Sequence, residues 1–133
     1  MKALLDTHVW IWLLEDPSKL AEPILRQLET ADALVLSAAT IWEIAIKAEL
    51  GRLVMKGTPA ALRDEILRET HANELTIEAE HALCAAQLPK LHKDPFDRIL
   101  VAQAQVEHLV LVTADEIVRQ YGGAVLWARS PSR

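Results

Sequence analysis

Three short stretches of this chain contain nothing but apolar residues: Ala3-Leu4-Leu5, Ala33-Leu34-Val35-Leu36 and Leu109-Val110-Leu111-Val112. A strand with one face in water alternates apolar and polar side chains, so unbroken apolar runs of this length must be covered on both faces. Each run is followed by a stretch whose apolar residues recur at helical spacing. The pattern predicts strands at about 2–5, 33–37, 109–113 and 124–127, with a shorter one at 75–77, where Leu-Thr-Ile is apolar and β-branched. Helices are expected at about 8–14, 21–30, 37–52, 58–70, 78–88, 94–109 and 115–121. Their ends carry ordinary punctuation: Pro17, Gly51, the Thr58-Pro59 start, Pro89 and the Gly122-Gly123 stop. Strands alternating with helices in this way imply an α/β fold with a central parallel sheet and helices on both faces, in three layers.

With 133 residues, the chain is expected to form one domain over 1–133, burying about two-thirds of its unfolded surface. The tail 129–133 is expected to be loose. Hydrophobic residues make up 51% and charged residues 25%, which excludes a disordered or low-complexity chain. The 19 acidic against 14 basic residues, a formal net charge of −5, argue against a passive nucleic-acid coat protein. They suit an enzyme that gathers acids around a cation. Cys84 is the only cysteine; it reads as buried filler in a reducing compartment. The start MKALLD lacks the form of a signal peptide, and no apolar stretch approaches the roughly 18 residues needed to cross a bilayer. A cytoplasmic protein without a membrane association is the expectation.

The acids are informative because of where they fall. Asp6 directly follows the first strand, and Asp115 follows the 109–113 strand by two residues. Glu43 lies in the first turns of the helix leaving the second strand, within an otherwise uncharged run. Asp94 and Asp97 open the helix that leads into the 109–113 strand. Ligands of open α/β sheets bind at the carboxyl ends of the strands, and parallel strands bring these acids to one edge. Each acid has a plainer explanation. Asp6 and Asp115 fit helix N-caps, Thr40-Ile41-Trp42-Glu43 fits a capping box, Asp94-Pro95 is a good cap, and Asp97 suits the helix dipole. Convergence of several carboxylates, however, costs a few kcal/mol per close pair at surface-like dielectric. A divalent cation relieves that cost. Oxygen donors without paired cysteine or histidine suit Mg²⁺ or Mn²⁺, the usual equipment for cutting phosphate esters.

With these residues in view, the chain resembles the PIN domains, and specifically the VapC-type toxins of bacterial toxin–antitoxin pairs. LLDTHVWIWLL at 4–14, TIWEIAIKAELGRL at 40–53, LHKDPFDRILVAQA at 91–104 and LVTADEIVRQYG at 111–122 are similar to the family's four motifs, in order. The resemblance maps the family's acidic quartet onto Asp6, Glu43, Asp97 and Asp115. It implies an Mg²⁺- or Mn²⁺-dependent endoribonuclease cutting single-stranded or loop RNA, a cognate VapB-type antitoxin and a homodimer. In that scheme Asp6 and Asp97 are the primary metal ligands and Asp115 completes the site. Glu43 either ligates a second ion or orients water beside the first.

Thr113, His8 and Arg98 are candidates for contacting substrate or the acids, with a strand-end threonine, a helix-start histidine and a solvated arginine as the plain alternatives. His92 and Lys93 are further candidates, and the local excess of Lys47, Arg52, Lys56, Arg63 and Arg68 marks a basic stretch facing RNA, antitoxin or solvent. Trp10, Trp12, Trp42 and Trp127 read as core or dimer contacts. Trp10 and Trp12 cannot share one helix face. A receiver-like domain is a rival but lacks the expected lysine after the last strand. A phosphatase working through an aspartyl intermediate lacks the second acid at position 8, and a non-catalytic PIN-type module conflicts with the intact quartet.

Overall fold

The computed structural model describes residues 1–128, and the expected loose tail at 129–133 lies outside them. The strands are β1 (Lys2–Leu5), β2 (Ala33–Ser37), β3 (Asn73–Leu75), β4 (Val110–Thr113) and β5 (Val125–Trp127). The helices are α1 (Thr7–Glu15), α2 (Glu22–Glu29), α3 (Ala38–Glu49), α4 (Pro59–Thr70), α5 (Ala79–Gln87), α6 (Pro95–Val106) and α7 (Glu116–Arg119), with a 3₁₀ turn at Pro17–Lys19. One parallel sheet in the order β3-β2-β1-β4-β5 joins the strands. Among the described residues, no helix is long and apolar enough to cross a membrane.

The unbroken apolar runs lie where their composition demands. Ala3, Leu4 and Leu5 are all fully buried, because β1 is the central strand. Alternate residues serve two cores. Leu5, Leu36 and Val112 pack with Val9, Trp10, Ile24, Leu28, Ile44, Leu62 and Ile66 on one side of the sheet. Leu4, Val35 and Leu111 pack with Leu100, Val101 and Val118 on the other. The register aligns these sets, with Leu4 opposite both Val35 and Leu111. The second layer also contains a buried polar relay: Ser37 donates to Gln103 Oε1 at 2.6 Å, and Gln103 donates to the Thr76 carbonyl at 3.2 Å. His81, equally buried, accepts from the Glu78 N–H at 2.9 Å and meets Glu107 at 2.8 Å.

The third strand departs from expectation. It runs over Asn73–Leu75, pairing Asn73, Glu74 and Leu75 with Val35, Leu36 and Ser37, two residues earlier than the apolar 75–77 stretch. It is an edge strand, where polar side chains are tolerated and even favoured. Glu74 instead takes an ion pair from Arg63 on α4, at 2.5 Å. Cys84 is also not buried filler: it is half-buried on α5, with its sulfur 3.8 Å from Gln105 Oε1.

Leu4 is fully enclosed between β2 and β4. Leu4→Ala is therefore expected to cost about 2–5 kcal/mol, read as a shift of the urea midpoint with an unchanged slope.

Candidate active site

Strand β1 pairs with both β2 and β4. The chain fans outward from it in two directions, and the carboxyl ends of β1 and β4 flank the point where the strand order reverses. That is where open α/β sheets form a crevice. Here a cavity of about 270 Å³ has Asp6, Glu43, Asp94, Asp97 and Asp115 among its lining residues. All four acids of the quartet are thus brought together.

Each acid arrives by a different local route. Asp6 continues β1, donating its N–H to the Val112 carbonyl at 2.9 Å. It stands at the N-cap of α1, yet its side chain caps nothing. Its Oδ2 instead accepts the Thr113 hydroxyl at 2.6 Å, and Thr113 Oγ1 accepts the Asp115 N–H at 3.0 Å. Asp115 does cap α7, its Oδ1 accepting the N–H groups of Ile117 and Val118 at 2.8 and 3.1 Å. Asp94 caps α6 through the Phe96 N–H at 2.8 Å. This places Asp97 in the first turn of α6, buried and facing the crevice.

The capping box considered for Glu43 does not form. Helix α3 starts earlier, at Ala38, where Ser37 is the cap and accepts the Ala39 N–H at 3.0 Å. Glu43 is therefore well inside the helix and only 3% exposed. Its two oxygens accept from the Thr7 hydroxyl at 2.6 Å and from Lys47 Nζ at 2.5 Å.

The acids strain one another electrostatically. Burial, reinforced by the charges of Asp6, Asp94, Glu43 and Asp115, pushes the Asp97 carboxyl up to about 8. Burial also raises Asp6, against the opposing hydrogen bond from Thr113. For Asp115, burial pushes upward, but the N–H groups of Val118 and Ile117 and the neighbouring His92 outweigh it and hold the carboxyl below its ordinary range. Lys47 is pulled down by burial but lifted more by Glu43, so its ammonium is held more firmly than usual.

His92 closes the group. Its Nε2 lies 2.9 Å from Asp97 Oδ2 and 3.3 Å from Asp115 Oδ2, and the three atoms are within 4.8 Å of one another. Two carboxylate charges at that separation repel by roughly 3 kcal/mol at an effective dielectric of about 20. The His92 Nδ1 accepts the Asp94 N–H at 3.2 Å, so the ring hydrogen of the neutral form resides on Nε2. His92 is accordingly a donor to both acids, and its lone pair is turned away from them.

This donor set fits a hard divalent cation. It offers carboxylate oxygens from several elements, and burial with the neighbouring carboxylates disfavours the charge on Asp97 while no cation is there. Asp97 and Asp115 offer oxygens close enough to share an ion, and Asp6 and Glu43 line the same crevice.

The remaining candidates separate clearly. His8 lines the crevice, as does Trp12. Arg98 does not reach the crevice lining: its guanidinium donates to the carbonyls of Ala85, Leu88 and Pro89 at 2.6, 3.2 and 3.0 Å, and to the Tyr121 hydroxyl at 3.3 Å. It fastens the segment leading to Asp94. From the basic stretch, only Lys47 lines the crevice; Arg63 pairs with Glu74 and Arg68 with Glu69. Trp10 is fully buried, whereas Trp42 is 57% exposed and packs edge-on against Phe96 at 5.1 Å. Sequence reasoning missed Thr7 and Trp12 as site residues. A sequence signal existed for Lys47, four residues after Glu43 and hence on the same helix face.

Comparison with known proteins agrees with this geometry. The family model for the PIN domain matches residues 3–124. Ribonuclease VapC22 of Mycobacterium tuberculosis is 32% identical over 119 residues, covering 89% of this chain and 90% of that protein. The chain belongs to the PIN domain family, on its VapC-type branch. Among solved structures, VapBC2 from Rickettsia felis bound to a promoter DNA fragment superposes with a TM-score of 0.72 at 14% identity, covering 96% of this chain and 99% of that one. DNA-bound VapBC from Salmonella typhimurium gives 0.68 at 19% identity, covering 95% and 97%. At these identities the two likenesses concern the fold.

A pH dependence follows from Asp97. Its folded value of about 8 lies above the ~3.9 of an unfolded aspartate. The folded state therefore keeps a proton that the unfolded state has lost, and metal-free stability is expected to fall as pH rises from about 4 to about 8. Asp97→Asn should make that decline shallower and raise the melting temperature at pH 8 in EDTA. Differential scanning calorimetry across this range measures both effects.

Proposed function

We propose that this protein is the toxin of a VapBC-type pair, an endoribonuclease that hydrolyses RNA phosphodiester bonds with Mg²⁺ or Mn²⁺. The observation that carries the reading is the convergence of Asp6, Glu43, Asp97 and Asp115 on one crevice at the switch point of the sheet. The relative named Ribonuclease VapC22 supports the chemistry. A bound divalent ion supplies Lewis-acid activation of water and offsets charge on the phosphoryl oxygens.

The chain's own residues prepare that chemistry. Thr113 holds one oxygen of Asp6, and two backbone N–H groups hold one oxygen of Asp115. Asp97 and Asp115 are tied together through His92. These contacts hold three of the acids in place, which supports a site needing little reorganisation. Both oxygens of Glu43 already accept hydrogen bonds, which suits it to orienting water beside the ion. Lys47 contributes positive charge toward an incoming phosphate. In this reading the protein acts in the cytoplasm as a homodimer and is restrained by a VapB-type antitoxin whose segment occupies the crevice.

Purified protein would be incubated with structured RNA in Mg²⁺, in Mn²⁺ and in EDTA. Cleavage is expected with either ion and absent with EDTA. Asp6→Asn and Asp97→Asn should each lower the rate by about 10²-fold or more, measured on denaturing gels. Equal cleavage by the variants, or none by the wild type in any buffer, would overturn the proposal.

A further inference from the structure

The crevice has a second kind of wall. His8 and Trp12 are one turn apart on α1, so both project to the same side. Their ring centroids are 5.9 Å apart and the planes are tilted by 48°. Both residues line the cavity that holds the acids. His8 is exposed and Trp12 half-buried, whereas Trp10, on the other face of the helix, is fully enclosed in the core. The Lys19 ammonium lies 6.0 Å from the Trp12 ring centroid, within cation–π range.

An affinity problem gives this wall its meaning. Most nucleic-acid binders draw their affinity from cations meeting phosphates. Here the chain is acidic, with a formal net charge of −5, and the crevice lining sets five carboxylates against one lysine. Lys47 and the ion proposed above are the positive charges this lining offers a phosphate. Base stacking on aromatic rings is a further source of affinity, and it is tolerant of sequence because every base has a π-face. The cavity, at about 270 Å³, lies at the small end of ligand sites.

We propose that the His8–Trp12 pair is a nucleobase-stacking wall that receives the base next to the scissile phosphate of single-stranded RNA. This rests on the ribonuclease reading and specifies its substrate. The base must be unpaired to leave its own stack and reach the indole. Paired RNA is excluded, and base identity counts for little because every base presents a π-face. The phosphate attached to the stacked nucleotide is thereby carried toward the acids.

The test uses the full chain carrying Asp97→Asn in Mg²⁺, which blocks the proposed hydrolysis, and fluorescence anisotropy with labelled twelve-nucleotide single-stranded RNA. Trp12→Ala is expected to weaken binding about tenfold or more, and His8→Ala by a smaller factor. Trp12→Phe, which keeps a ring, should stay within about threefold of the parent. A strand of the same length lacking bases should bind the parent and the Trp12→Ala variant equally. Should Trp12→Ala disturb folding by circular dichroism, Trp12→Leu and the exposed His8→Ala serve in its place.

Unchanged binding in the ring-less variants, with wild-type protein still cleaving RNA, would overturn the wall while leaving the ribonuclease reading intact. Absence of both binding and cleavage by any form would overturn both. Weaker capture of a VapB-type antitoxin segment, with RNA binding unaltered, would reassign the wall to protein recognition and overturn the proposal.

Discussion

Burial of β1 on both faces is the constraint from which the site follows. Ala3, Leu4 and Leu5 have no exposed surface, and removing three such side chains from water contributes several kcal/mol. The strand cannot shift along its axis without exposing one of them or breaking its register with two neighbours. Asp6, the next residue, is consequently delivered to the mouth of the sheet and held at 5% exposure. A carboxylate in that position is costly by itself, and the structure around it is organised to make the cost bearable.

That organisation is a set of short polar contacts between remote parts of the chain. Thr113 is 107 residues from Asp6 and Thr7 is 36 residues from Glu43, yet both pairs are at 2.6 Å. His92 reaches two acids from a third segment. These contacts offset part of the cost, while burial, reinforced by the neighbouring carboxylates, still pushes Asp97 up to about 8. The scaffold and the site are thus linked: the apolar central strand positions Asp6, and contacts between remote segments hold the other acids around it.

Much of the fold was legible because the strands are buried on two sides. Continuous apolar composition is a strong signal, and β1, β2 and β4 lie within a residue of the positions it indicates. Strand β3 was misplaced for the opposite reason. At an edge, pairing with β2 and the Arg63–Glu74 contact decide the position, and neither leaves a local apolar pattern. The capping box at Thr40–Glu43 shows a similar limit. Ser37 competed for the same role and won, because the helix begins directly where β2 ends. Arg98 looked like a residue for solvent or phosphate, but a free helix end and a turn at 85–92 presented carbonyls to its guanidinium.

The four acids were identifiable from sequence because each stands at a strand end or near a helix start, and because their context matches a family. What they share could be seen only in three dimensions. Chain order carries no information about which oxygen of Asp115 is already occupied, which His92 nitrogen bears a hydrogen, or which of two tryptophans faces the crevice. The amino-acid sequence by itself determined the layers, the sheet and the identity of the acids, since those depend on local periodicity and burial. Only the tertiary structure decided their hydrogen-bond partners and the His8–Trp12 ring pair beside them, since those depend on how the segments pack in space.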